Sequence, residues 1–214
     1  MEVVIVSGGN LGDWANKYLN NDKYIIGVDS GINWLYLNKI IPNMALGDFD
    51  SIAKEAFNWI VKNNVQIKQF PEVKDETDTE IAILEAFNLL TKSIIILGGI
   101  GSRFDHSLAN IHLLIKGLKK GIRIQIIDQF NEISLLAPKI KYQIIKDESF
   151  KYVSFLPLSE KITSLSLAGF LYPLDKKDLF IGESIGVSNQ FSDDKGSIYF
   201  EDGLLIMIRS NDKR

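Results

Sequence analysis

Asn43-Met44-Ala45-Leu46-Gly47-Asp48-Phe49-Asp50-Ser51, with Lys54–Lys62 behind it, reads as a short strand, an acidic loop and a helix. Ala56, Phe57 and Ile60 recur at helical spacing, so the second half is helical. In an extended segment residues i and i+2 point the same way. Asp48 and Asp50 are therefore expected to project together, with Phe49 turned inward. Two like charges this close repel unless a cation sits between them. A hard divalent ion such as Mg²⁺ takes oxygen ligands and suits a carboxylate pair plus phosphates. The same stretch also suits a polar loop in which Asp50 or Ser51 caps the next helix.

Strand–loop–helix units repeat on both sides of it. Val3–Ser7, Tyr24–Val28, Val65–Phe70, Ser93–Leu97 and Ile122–Ile127 read as strands. Leu11–Leu19, Ile32–Asn38, the segment behind Thr77-Asp78-Thr79-Glu80 and Asp105–Lys120 read as helices. Thr77 and Glu80 match the capping box, in which hydroxyl and carboxylate satisfy free N–H groups reciprocally. Alternating strands and helices indicate a mostly parallel α/β sheet.

Helical periodicity stops near Asp128. Glu132–Leu136, Tyr142–Ile145, Tyr152–Phe155, Ile162–Leu167 and Ser197–Ile208, broken around Gly203, are short β-rich runs. They indicate a small all-β domain, a sandwich or a barrel. The boundary falls at Asp128–Asn131, giving an α/β domain over 1–128 and a β domain over 129–214. Asp193-Asp194-Lys195-Gly196 reads as an exposed hairpin turn.

The 214 residues are 46% hydrophobic and 24% charged, an ordinary globular balance, with a net charge of −3 that argues against a nucleic-acid-binding face. With no cysteine, disulfides, thiolate metal sites and cysteine nucleophiles are excluded. No signal peptide and no membrane-length apolar run is evident, so a cytoplasmic protein is expected.

Ligands of open α/β sheets sit beyond the carboxyl ends of the strands. Asp29, the Asp48/Asp50 pair, Lys74 with Asp75 and Asp78, and Arg103 with Asp105 all follow strands and should reach one edge. Acids that hold Mg²⁺ beside bases that hold phosphate suit a metal–polyphosphate complex. Each residue also has a plainer reading. Asp78 complements a helix dipole, Asp29 suits a turn, and Arg103 can pair with Asp105. Neither G-x-x-x-x-G-K-[ST] nor G-x-G-x-x-G is present.

Five pieces in order resemble the thiamine pyrophosphokinase family over nearly the whole chain. They are Val28-Asp29-Ser30-Gly31, Gly47-Asp48-Phe49-Asp50-Ser51, Lys74-Asp75-Glu76-Thr77-Asp78, Arg103-Phe104-Asp105-His106 with Asn110, and Ser188-Asn189. The resemblance implies a Rossmann-like ATP-binding domain followed by a β-sandwich that helps hold thiamine. It implies a homodimer with shared active sites and the reaction ATP + thiamine → AMP + thiamine diphosphate. It implies Asp48, Asp50 and Asp78 as metal-binding and catalytic carboxylates, and Lys74 and Arg103 as phosphate ligands with Asp105 on the ATP side. Asp29, Thr77, Ser188 and Asn189 are then substrate-pocket residues. Two other functions fit the same motifs: a pterin pyrophosphokinase of similar fold, and a non-catalytic nucleotide- or thiamine-binding module.

Overall fold

The structure, a computed structural model, describes residues 1–20, 22–71 and 73–212. The chain divides into two compact units, Met1–Gln129 and Phe130–Arg214.

Six strands of the first unit lie parallel in the order β4-β3-β2-β1-β5-β6. They are β1 (Glu2–Val6), β2 (Lys23–Val28), β3 (Met44–Gly47), β4 (Gln66–Gln69), β5 (Ser93–Leu97) and β6 (Arg123–Ile127). The helices are α1 (Gly31–Leu37), α2 (Lys54–Lys62), α3 (Asp78–Asn88) and α4 (Phe104–Lys120). The expected helix over Leu11–Leu19 is a 3₁₀ segment, Asp13–Tyr18, with Gly12 before it and no side-chain cap. Val4, Val6, Ile25, Ile95 and Leu97 pack with Ala15 and Leu35 on one face of the sheet. The alternate residues Val3, Ile5, Ile26, Ile94 and Ile96 are equally buried. Burial on both faces explains why these strands read as continuous apolar runs.

The helix ends follow their sequence signals unevenly. Thr77 caps α3 by accepting the Glu80 N–H at 3.2 Å. The reciprocal half of the capping box is missing, because the Glu80 carboxylate instead pairs with Lys116 of α4 at 2.7 Å. A cross-helix ion pair has displaced a local cap. Gly121 closes α4 in a left-handed conformation, φ 67°, as a helix-terminating glycine should.

The second unit is a β-sandwich. One sheet holds β7 (Asn131–Leu136), β13 (Leu205–Ser210) and β9 (Tyr152–Pro157), all antiparallel. The other has the order β11-β10-β12-β8, from β8 (Tyr142–Ile145), β10 (Lys161–Ala168), β11 (Leu174–Phe180) and β12 (Lys195–Tyr199). Val153, Phe155 and Met207 of the first sheet meet Ile162, Leu165, Leu179 and Ile198 of the second in one core.

Two features of this unit depart from the sequence reading. Strand β11, Leu-Asp-Lys-Lys-Asp-Leu-Phe, was not expected, because a charged edge strand lacks clean alternation. Lys195-Gly196 belongs to β12 rather than to a hairpin turn. Gly196 is buried, and a Cβ there would come 2.2 Å from the Phe170 ring.

Candidate active site

Four loops at the carboxyl edge of the parallel sheet bear the candidate residues of the first unit. Asp29 follows β2 in a left-handed conformation, φ 43°, which Asp tolerates better than most residues. Its carboxylate lies over Gly47 at the end of β3. Gly47 has φ +145°, and a Cβ there would come 1.9 Å from Asp29 Oδ1. The glycine is what lets two acidic loops approach. Gly47→Ala is expected to combine backbone strain of about 2 kcal/mol with displacement of Asp29. A Tm lower by about 4–8 °C in a thermal melt, with reduced activity, checks this.

The Asp48–Ser51 stretch is a turn rather than an extended segment. Phe49 has φ 67°, which breaks the strand alternation expected for Asp48 and Asp50. Its ring does point inward, 5.5 Å from Phe57. Asp48 is half-buried and its Oδ1 accepts the Asp50 N–H at 3.0 Å, while Asp50 is exposed. A local carboxylate-to-backbone bond of this kind is the signature of an Asx turn.

Lys74 and Asp78 bring the third loop, after β4, to the same place. Lys74 Nζ lies 2.9 Å from Asp78 Oδ1, with side chains 13% and 19% exposed, so the pair is largely shielded from water. Asp78 is also the first residue of α3, where the helix dipole favours a carboxylate. The fixed end of that helix is tied to β1 through Ser7 and Thr79, whose buried hydroxyls are 3.0 Å apart.

Asp78 and Asp48 both act electrostatically on Asp29. Burial, then the Asp78 carboxylate and its hydrogen bond, then Asp48, push the Asp29 carboxyl up to about 7, with Lys74 opposing. Asp29 Oδ1 is buried without a hydrogen-bond partner, and Asp78 Oδ1 has the Lys74 ion pair in place of one. Negative charge therefore exceeds what Lys74 neutralises. Among the described residues, no group of three or more His, Cys, Asp or Glu side chains is arranged to hold a metal ion. Asp48 is turned to its own loop and Asp78 to Lys74.

Arg103 and Asp105, after β5, pair with each other at 2.6 Å and are 70% and 65% exposed. The Arg103 hydrogen bond, followed by the His106 N–H, holds the Asp105 carboxyl below its usual range. Their loop is held from α4. Asn110 Nδ2 donates to the Gly99 carbonyl at 2.8 Å. Ser107 Oγ accepts the Gly101 N–H and donates to the Arg103 carbonyl, each at 3.2 Å.

In the second unit, Gly186–Asn189 covers the edge of β9. Phe155 N–H donates to the Gly186 carbonyl and Val153 N–H to that of Asn189, each at 2.8 Å. Ser188 is exposed, with φ 57°. Asn189 is 1% exposed. Its amide donates to the Tyr172 carbonyl at 2.8 Å and accepts the Tyr172 N–H at 3.0 Å and the Gln190 N–H at 2.9 Å. Ser188 thus presents a hydroxyl outward, while Asn189 staples two loops together.

Two polar side chains that sequence reasoning passed over support the acidic loop. Asn33 of α1 donates to the Ser51 carbonyl at 3.1 Å and accepts the Ala53 N–H at 2.8 Å. Gln69 donates to the Asp48 carbonyl at 3.3 Å. An Asn in the first turn of a short helix, a residue type that bonds readily to nearby backbone, was the available signal for the first.

Comparisons with known proteins bear on this arrangement. The chain matches the thiamin pyrophosphokinase catalytic-domain family over residues 15–126. It matches the thiamin pyrophosphokinase vitamin B1 binding-domain family over residues 141–205. A thiamine pyrophosphokinase of Bacillus subtilis is 40% identical over 210 residues, covering 97% of this chain and 98% of that protein. A crystal structure of thiamine pyrophosphokinase from Bacillus subtilis aligns with a TM-score of 0.92 at 39% identity, covering both chains completely. The yeast thiamin pyrophosphokinase structure shares the fold, with a TM-score of 0.83 at 17% identity, covering 98% of this chain and 86% of that one.

Proposed function

The chain belongs to the thiamin pyrophosphokinase family and is a kinase that transfers pyrophosphate to thiamine; from that premise we propose that the carboxylates of its first unit hold a metal–ATP complex. The observation that carries this reading is the charge imbalance around Asp29. The half-buried Asp29 has a shielded, unpartnered Oδ1, and its carboxyl is raised to about 7 first by burial and then by Asp78 and Asp48, so the site gains from a cation.

The donor set fits Mg²⁺, since it is all hard carboxylate oxygen. Asp48, Asp50 and Asp78 would hold it, with Asp29 beside them. When bound, Mg²⁺ neutralises charge on the polyphosphate. Lys74 and Arg103 are the phosphate-binding cations. Lys74 is already at the carboxylate cluster, and exposed Arg103 offers planar N–H donors for phosphate oxygens. The thiamine hydroxyl oxygen loses its proton and forms a bond to the β-phosphorus of ATP as the bond from that phosphorus to the AMP oxygen breaks, the proton being released to solution. Such transfers depend on positioning and charge neutralisation, and this chain needs no covalent nucleophile for it.

Thiamine is held by the 129–214 domain, ATP by the 1–128 domain. Asp29 and Thr77 line the substrate side, and Asp105 lies on the ATP side. The working form is a homodimer in which Ser188 and Asn189 of one subunit complete the site of the other. Ser188 does so by its exposed hydroxyl, and Asn189 by fixing the loop that carries it. The enzyme acts on small molecules in the cytoplasm, where ATP is at hand. AMP release from Mg·ATP, with thiamine and then with a hydroxymethylpterin as acceptor, tests the reading. AMP is expected only with thiamine. Release with the pterin alone would identify a pterin pyrophosphokinase, and release with neither a binding module.

A further inference from the structure

We propose that Asn33 is a positioning residue whose amide sets the spacing between the loop carrying Asp29 and the loop carrying Asp48 and Asp50. The inference rests on the reading of those carboxylates as the cation-holding set.

Asn33 belongs to the turn that Asp29 begins. Ile32 N–H donates to the Asp29 carbonyl at 3.0 Å, and Asn33 N–H to the Ser30 carbonyl at 3.1 Å. Its side chain is therefore fixed relative to Asp29. The same side chain grips the far end of the acidic loop at two points, the Ser51 carbonyl and the Ala53 N–H. Ala53 is the residue before α2 and has no side-chain oxygen with which to cap it, so the loop cannot anchor that end by itself. Its backbone link from Ile52 N–H to the Phe49 carbonyl is long, at 3.5 Å. Gln69 holds the near end at Asp48, and Phe49 is packed beneath. Asn33 adds a constraint of its own at the far end, and it refers the loop to the turn that Asp29 begins. Gly47 sets how close the two loops come, and Asn33 sets their register.

Loss of the amide leaves the carboxylates in place but less pre-organised, so the deficit should fall on cation binding. Two neutral hydrogen bonds to backbone correspond to about 10-fold in affinity. In Asn33→Ala, the Mg²⁺ concentration for half-maximal activity should rise ~10-fold, while kcat at saturating Mg²⁺ falls less than ~3-fold. Calorimetric titration of Mn²⁺ in the presence of α,β-methylene-ATP should show the same weakening. Hydrogen exchange at Asp50–Ala53 should quicken, with β1 and β5 unchanged. Asn33→Ser keeps a polar group but cannot bridge both residues, and it is read in the same way if the alanine variant fails to fold.

A lower Tm with an unmoved Mg²⁺ midpoint and unmoved Mn²⁺ affinity means a structural tie only and overturns the proposal. Asp48→Asn, measured beside it, keeps the two ideas apart. Its near-normal activity overturns the cation-site reading itself, whereas an inactive Asp48→Asn beside an unaffected Asn33→Ala overturns only the role of Asn33.

Discussion

Asp78→Asn is expected to lower kcat/KM by about 10²–10³-fold while leaving the protein folded, a loss of roughly 3–4 kcal/mol in transition-state stabilisation. The substitution is isosteric and removes a charge from the one carboxylate joined to Lys74, Asp29 and the start of α3. Two changes in stability oppose each other. The shielded pair with Lys74 is lost, and the repulsion that raises Asp29 is relieved. Tm should therefore move by only a few degrees. Steady-state kinetics and a thermal melt on the same preparation check both halves. Near-normal kcat/KM would leave Asp78 as a helix-start residue and no more. An unfolded variant would make the Lys74 pair a pillar of the fold.

Removal of divalent metal should have an effect of the same order or larger. With chelator in excess, turnover is expected to fall to ~1% or less and to return on addition of Mg²⁺. ATP carries several negative charges, and it would meet Asp48 and Asp78, which already raise the Asp29 carboxyl, with Lys74 opposing them. Coulomb repulsion across a few ångströms in a partly shielded site is worth several kcal/mol. Sustained turnover in chelator would mean that Lys74 and Arg103 suffice, and the carboxylates would then need another role.

Elements with a strong period were legible from sequence. Ser93–Leu97 and Lys54–Lys62 have the bounds read from their patterns. Strand β11 was not legible, because its edge position lets charged residues occupy both faces. Lys195-Gly196 looked like a turn because no local pattern shows that Phe170 closes over a glycine from another strand. The site divides the same way. Asp29, Asp48, Lys74 and Asp78 could be assigned to one sheet edge from strand order alone. The turn at Phe49 and the grip of Asn33 on Ser51 and Ala53 could not, since both depend on contacts between elements distant in sequence.

The most direct measurement is an anomalous-scattering map from crystals grown with Mn²⁺, α,β-methylene-ATP and thiamine. The analogue keeps the bond that must break intact, so metal, nucleotide and acceptor are trapped together. The expected result is a Mn²⁺ peak between the analogue's phosphates and the carboxylates of Asp48, Asp50 and Asp78, with Lys74 moved from Asp78 to a phosphate oxygen. A peak held elsewhere, with Lys74 still paired to Asp78, would contradict the assignment of these residues to the metal–ATP complex.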